Sequence, residues 1–356
     1  MSQDNGPQNK AKNTHLTCAV DLSQGGIVAA LVDERARVVT SRRAELPEAG
    51  GRAAVQALSS GLLKTCTADE RGESEIRAVG ICIPGNVDQR AGRVTAPGLR
   101  WDRVALREMV EQSLEASGVD VRRATSAKRA RAERLDSALP VIALTSEAIA
   151  GVVAEQWCGA AEGKQHAIFV SVGRRIEAGI IAEGKIIQGA GGVAGAAGWF
   201  ALSEGFREEY AQRGCLETEA ATAALVRRTI ENWSGDTDSP LSRVVSEDPR
   251  HLTAEIVIRA ARSGDSLALG VVTDVCAWLG RGVAELISIF NPEVVMMGGE
   301  LGVALRPYLN EVRREARLWA HPLAARQCRI LSATLGRNTG LLGAARLAYQ
   351  SLNQSS

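Results

Sequence analysis

Val79-Gly-Ile-Cys-Ile-Pro-Gly-Asn-Val-Asp88 is the segment on which the reading of the fold turns. Its first half completes a short apolar run, Arg77 to Ile83, which reads as a buried strand. Pro84 and Gly85 end that strand, because proline has no N–H for a ladder and glycine tolerates turn geometry. Upstream, Leu16 to Leu22, Ile27 to Asp33 and Arg37 to Leu46 read as three strands at meander spacing. Residues 51–66 set Val55, Leu58, Leu62 and Leu63 on one helical face. Residues 101–117 do the same with Leu106, Met109, Val110 and Leu114, and Gly118 suits the stop. Downstream the order recurs. A strand from Val141 to Leu144 leads to an Ala-rich helix over 147–158. A strand from Ala167 to Val172 leads to a hairpin from Ala178 to Gln188. Helices are expected over about 217–232 and 253–290, strands over Glu293 to Met297 and Cys328 to Ala333, and a last helix over about 339–351. Strands then helices, twice over with a long crossover, describe an α/β protein of two similar lobes.

Composition agrees. A chain of 356 residues suggests two domains. Its 45% hydrophobic and 23% charged residues exclude a disordered or fibrous protein. Lys and Arg number 42 against 41 acids, so a net charge of +1 supplies no global field for nucleic acid or an anionic membrane. The most apolar window, Leu267 to Phe290, is broken by Asp274, Arg281 and Glu285, so no membrane span is expected. Met1 to Asn13 is polar, without the apolar core of a secretory signal. The expectation is a cytoplasmic protein with a disordered tail over 1–15. The seven cysteines form no C-x-x-C pair and read as buried reduced thiols. The basic stretch 122–134, with Arg122, Arg123, Lys128, Arg129, Arg131 and Arg134, reads as a solvated loop or frayed helix rather than an anion-contacting insertion.

Seven segments, in this order, resemble the ROK family (repressors, open reading frames and sugar kinases) of the actin-like ATPase and hexokinase superfamily. They are Ala19-Val-Asp-Leu-Ser-Gln-Gly-Gly26, Val79–Asp88, Gln156-Trp-Cys-Gly-Ala-Ala161, Gln188-Gly-Ala-Gly-Gly-Val-Ala-Gly195, Arg213-Gly-Cys-Leu-Glu217, Asn291-Pro-Glu-Val-Val-Met-Met-Gly-Gly299 and Gly340-Leu-Leu-Gly-Ala344. The resemblance implies a two-lobed actin-like ATPase (ribonuclease H-like) α/β fold with an interlobe cleft. The first lobe is expected over 16–142 plus 343–356, the second over 143–342. Family kinases hold Mg·ATP on one side of the cleft and a hexose or N-acetylhexosamine on the other, and members usually assemble as dimers or tetramers. A homodimer is therefore expected.

The positions that carry chemistry in the family are altered here. The first phosphate turn, Asp-x-Gly-Gly-Thr in family kinases, reads Asp21-Leu22-Ser23-Gln24-Gly25. Asp21 remains for magnesium, but Ser23 and Gln24 replace glycines that permit positive φ. The second turn, Gly-Thr-Gly-x-Gly, reads Gly173-Arg174-Arg175-Ile176-Glu177. Arginine forks bind phosphate, whereas Glu177 repels it. The family's catalytic base falls on Glu147. An extra methylene shifts its carboxylate by about 1 Å, a displacement that can cost roughly a hundredfold. The competing reading of Glu147 is an acid suited to the first turn of a helix. Gly298 and Gly299 match the adenosine loop. Among the sugar positions, Gly98 replaces an amide, Ala196 replaces an acid, and Glu217 is retained. Trp199 stands at a zinc histidine; closing the old sugar pocket and stacking on a sugar ring are open to it, and packing is its expected role. The three zinc cysteines map to Glu208, Tyr210 and Cys215. One thiol does not make a structural zinc site, so no metal is expected.

Scaffold glycines and prolines persist while several independent parts of one transition-state machine change. The expectation is a ROK-family sugar-kinase homologue with a degenerate site, binding a sugar, a sugar-derived ligand or a protein partner. No cofactor is required by that reading. The alternative is an ATP-dependent hexose or N-acetylhexosamine kinase that uses Mg·ATP and Glu147 as base. Direct DNA binding is not expected, because the first kinase-like strand begins near residue 16 and 122–134 lacks helix-turn-helix patterning.

Overall fold

The computed structural model describes residues 16–22, 25–47, 50–66, 76–117, 140–235 and 239–354. The expected tail over 1–15, Ser23, Gln24 and the basic stretch 122–134 lie outside these residues.

The first sheet is built from β1 (Leu16–Asp21), β2 (Ile27–Asp33), β3 (Val38–Ala44), β4 (Ile76–Ile83) and β8 (Val141–Ser146). Their order is β3-β2-β1-β4-β8. β1, β2 and β3 form the expected antiparallel meander, with Ala19 opposite Ala30 and Ala30 opposite Ser41. β4 joins β1 in parallel, and β8 joins β4 in parallel with Leu144 beside Ile81. β1 is buried on both faces, Thr17 and Asp21 included. β8 runs on to Ser146, past the boundary expected at residue 142.

Helix α1 (Gly51–Cys66) packs Val55, Leu58 and Leu62 under this sheet. A small sheet follows, made of β5 (Asn86–Asp88), β6 (Arg93–Ala96) and β7 (Trp101–Val104). The helix expected over 101–117 therefore begins later, as α2 (Leu106–Ala116). The indole of Trp101 is fully buried, and its Nε1 donates to the Gly51 carbonyl at 3.1 Å. That tertiary anchor overrides the local helical period.

The second sheet has the order β11-β10-β9-β12-β13. Its strands are β9 (Ala167–Val172), β10 (Ile176–Ala182), β11 (Lys185–Ile186), β12 (Val294–Gly298) and β13 (Arg329–Ser332). β9 and β10 form a hairpin that starts at Ile176, and β12 runs parallel to both β9 and β13. Helix α3 (Glu147–Cys158) leads from the first sheet to the second.

The other helices are α4 (Tyr210–Arg213), α5 (Cys215–Ala220), α6 (Thr222–Glu231), α7 (Pro240–Glu247), α8 (Ala254–Arg262), α9 (Ser266–Phe290), α10 (Gly299–Ala304), α11 (Leu309–Trp319), α12 (Pro322–Gln327) and α13 (Thr339–Gln354). The helix expected over 217–232 breaks at Ala221, whose ψ of 176° is extended. The one expected over 253–290 breaks where Gly264 adopts φ +88° and Asp265 caps α9 by accepting from the Ala268 N–H. Helices α7, α10, α11 and α12 carry no expectation from the sequence. Among the described residues α9 alone is long and apolar enough to cross a bilayer. However, 56% of its most apolar window is buried inside the protein, with Val275, Leu279 and Val283 in the second core. α13 returns to cover β4 and α3. A Cβ on Gly80 would run into the Ala344 carbonyl, and one on Gly343 into that of Ala150, so glycine at both positions lets the backbones touch. All seven cysteines are free thiols, and only Cys158 and Cys328 are less than buried.

Candidate functional site

Between the two sheets lies a cleft of about 640 Å³. Gly25, Pro84, Asn86 and Gly98 line its first-lobe wall. Ser171, Arg174, Arg175, Glu177, Trp199, Glu217 and Glu300 line the other, with Glu147 between them. Of the sequence-predicted positions, Glu147, Gly173, Arg174, Arg175, Gly98, Trp199 and Glu217 thus share one cleft.

Ser146 ends β8 and accepts from the Ile149 N–H, which starts α3 and sets Glu147 in its first turn. The Ser171 hydroxyl donates to Glu147 at 3.1 Å. Burial beside the Asp21 and Glu177 carboxylates pushes the Glu147 carboxyl up to about 7, against the opposing pull of Ser171 and Arg174. A carboxyl in that range exchanges protons at neutral pH.

The second phosphate turn is occupied by its own side chains. Arg175 pairs with Glu177 at 2.8 Å. It also reaches Asn86 on the first-lobe wall at 3.5 Å. Burial raises the Glu177 carboxyl, Glu217 adds to that, and Arg175 opposes it. The Gly173 N–H donates to the Arg175 carbonyl at 3.0 Å. The Ile176 N–H donates to the Glu217 carboxylate at 3.0 Å, and burial raises that carboxyl as well. Two backbone N–H groups of the turn are therefore committed inside the protein. Arg174 projects from the turn into the cleft, and it makes no hydrogen bond or ion pair among the described residues.

The remaining positions lie elsewhere. Asp21 is fully buried and does not line the cleft; its carboxylate rests against Gly340 at the start of α13. Gly298 packs on the Phe169 ring. Gly299, at φ +74°, leaves no room for a Cβ beside the Val172 backbone. Neither glycine lines the cleft, whereas Glu300 does. Ala196 precedes the short turn Ala197–Trp199 and is likewise absent from the lining. The packing role expected for Trp199 is corrected: the turn buries Ala197 and Gly198 and leaves the Trp199 indole 53% exposed in the cleft. Gly98 is exposed, and a Cβ there meets nothing within 4 Å.

At the zinc positions the chain has built a polar cluster. The Tyr210 hydroxyl donates to Glu219 at 2.8 Å, and Glu219 also pairs with Arg207, Arg227 and Arg228. Cys215 is buried at the start of α5. Among the described residues no group of three or more His, Cys, Asp or Glu is placed to hold a metal ion. Sequence reasoning did not single out Ser171, Asn86 or Glu300. Ser171 carried a signal, as the one polar side chain in the apolar strand Ala-Ile-Phe-Val-Ser-Val.

Residues 132–351 match the ROK family profile. A glucokinase of Halalkalibacterium halodurans is 26% identical over 309 residues, covering 85% of this chain and 86% of that protein. A putative xylose repressor of Caldicellulosiruptor is 31% identical over 67% of this chain, which spans only 54% of the repressor. Among solved structures, a ROK family glucokinase of Streptomyces griseus in complex with glucose and AMPPNP superposes with a TM-score of 0.73 at 26% identity, over 94% of this chain and 99% of that one. Both a kinase and a regulator thus stand among its relatives, on the two-lobed actin-like ATPase fold. The chain belongs to the ROK family.

Proposed function

We propose that the interlobe cleft binds a monosaccharide without phosphorylating it, and that the protein is a sugar-responsive regulatory member of its family. The observation that carries this reading is Glu177. It is a half-buried acid in the phosphate turn, paired with Arg175, in a cleft already lined by Glu147, Glu217 and Glu300. A triphosphate seated there meets several carboxyl groups and one arginine unpaired among the described residues, Arg174, while two of the turn's N–H groups are already spent. Asp21, the position for magnesium, is sealed behind the cleft wall. The described residues therefore do not fit Mg·ATP, and the proposal requires no cofactor.

A neutral polyol fits better. Carboxylates at Glu147 and Glu217 accept hydroxyl hydrogen bonds, and an exposed indole at Trp199 offers an apolar face for a sugar ring. The volume is that of a small-molecule site. Isothermal titration of the full-length protein with hexoses and N-acetylhexosamines tests the proposal. Saturable binding of at least one sugar, weakened by Trp199→Ala, is expected. Absence of binding across the panel would refute it.

One observation favours a second reading, an ATP-dependent hexose or N-acetylhexosamine kinase. Glu147, with a carboxyl near 7 and a hydrogen bond from Ser171 to orient it, has the properties of a general base. That reading requires sugar-dependent ADP release that disappears in Glu147→Gln.

A further inference from the structure

A second cleft, of about 700 Å³, lies along β13 between α11 and α12 and shares no lining residue with the interlobe site. Four arginines line it: Arg313 and Arg317 from α11, Arg326 from α12 and Arg329 from β13. No carboxylate does. We propose that this cleft binds a small phosphorylated anion.

The arrangement is costly without such a ligand. Arg313 and Arg317 stand four residues apart on one helix, where like charges repel. The acids of α11 are engaged elsewhere. Glu311 pairs with Arg314 at 3.0 Å, while Glu315 pairs with Arg281 at 3.1 Å and accepts from the Trp319 indole at 2.9 Å. Among the described residues Arg317, Arg326 and Arg329 form no ion pair. Cys328, in the same cleft, contributes no negative charge at neutral pH, because burial pushes its thiol up to about 11. A chain of net charge +1 has thus gathered four cations in a cleft that no carboxylate among the described residues lines.

The geometry also suits phosphate. Arg313 is pre-set: its Nε donates to the Ile330 carbonyl at 2.9 Å and its Nη1 to Asn310 at 2.8 Å. The other three guanidinium groups keep their donors for a ligand, and planar forks match phosphate oxygens two at a time. Pro322, Ala325 and Leu331 give the cleft apolar surface for the body of a small molecule. Because the site lies outside the interlobe cleft, the inference stands whichever reading of that cleft holds.

The test is isothermal titration of the full-length protein with glucose 6-phosphate and, separately, with inorganic phosphate, at low and high salt. Saturable, salt-sensitive binding is expected, weakened roughly tenfold or more in Arg317→Ala/Arg326→Ala. Both arginines are exposed, so the double variant keeps its fold, as an unchanged melting temperature will confirm. If the component lost in the double variant is tighter for the sugar phosphate, the ligand is a phosphosugar; if it is equal for the two anions, the ligand is free phosphate. No saturable binding of either anion, or binding indifferent to the double variant, would overturn the proposal. So would capture of duplex DNA through these arginines in preference to either small anion.

Discussion

Glu147 titrates near 4.5 in an unfolded chain and near 7 in the folded one. Its folded carboxyl holds the proton more tightly. The stability it contributes is full below about pH 4.5 and is lost as pH rises through about 7. Glu177 and Glu217, both raised, act in the same direction. Glu147→Gln removes the largest of these effects. Thermal unfolding is expected to show the wild type losing stability between about pH 5 and about pH 8 while the variant loses less, the gap reaching on the order of 2 kcal/mol at the upper end. The position of Glu147 was legible by counting back from Glu155-Gln-Trp-Cys-Gly159. Its proton affinity was not, because Asp21, Ser171 and Glu177 reach it from β1, β9 and β10. Trp199 was misjudged for a related reason: a bulky aromatic beside buried glycines suggests packing, and only the direction of the turn exposes it. Gly98→Asn probes the sugar wall. The new Cβ meets open space, so stability should change by less than about 0.5 kcal/mol, while calorimetry should show tighter sugar binding through the restored amide.

Turns between helices and strands were the least readable features of the chain. Ala221 and Gly264 split two expected helices because extended or positive-φ backbone interrupts patterns that remain apolar on both sides. β7 was hidden inside a helical period by a single buried indole. The cluster that stands at the zinc positions makes a stability prediction for α4, α5 and α6. Glu219 is buried and joins Tyr210 to three arginines; the Tyr210 hydrogen bond, with Arg227 and Arg228, holds its carboxyl below the usual carboxylate range despite burial. Glu219→Ala leaves Arg228 half-buried and unpaired by that acid, at a cost of about 2–3 kcal/mol once the exposure of Arg207 and Arg227 is allowed for. A fall in melting temperature of roughly 3–4 °C is expected by calorimetry. An unchanged melting temperature would show the cluster to be incidental.

The two sheets and the cleft between them were readable because motifs fell in order along most of the chain, and each carried glycines that close packing requires. Gly80 and Gly343 bear this out, since they let α13 close over β4 and α3. What bridges the two lobes was not readable. The reach of Arg175 to Asn86 and the pairing of Gln188 with Gln89 at 2.6 Å join residues about 90–100 positions apart, and no local pattern announces them. The proposed function takes the Arg175 bridge and Glu177 to disfavour phosphoryl transfer in this cleft. The account therefore rests most directly on ADP release. Full-length protein should be assayed with Mg·ATP and a panel of hexoses and N-acetylhexosamines, beside Glu147→Gln. The prediction is no release above the sugar-free background, even with a sugar shown to bind. Sugar-dependent release that disappears in Glu147→Gln would contradict it and establish a kinase with glutamate as its base.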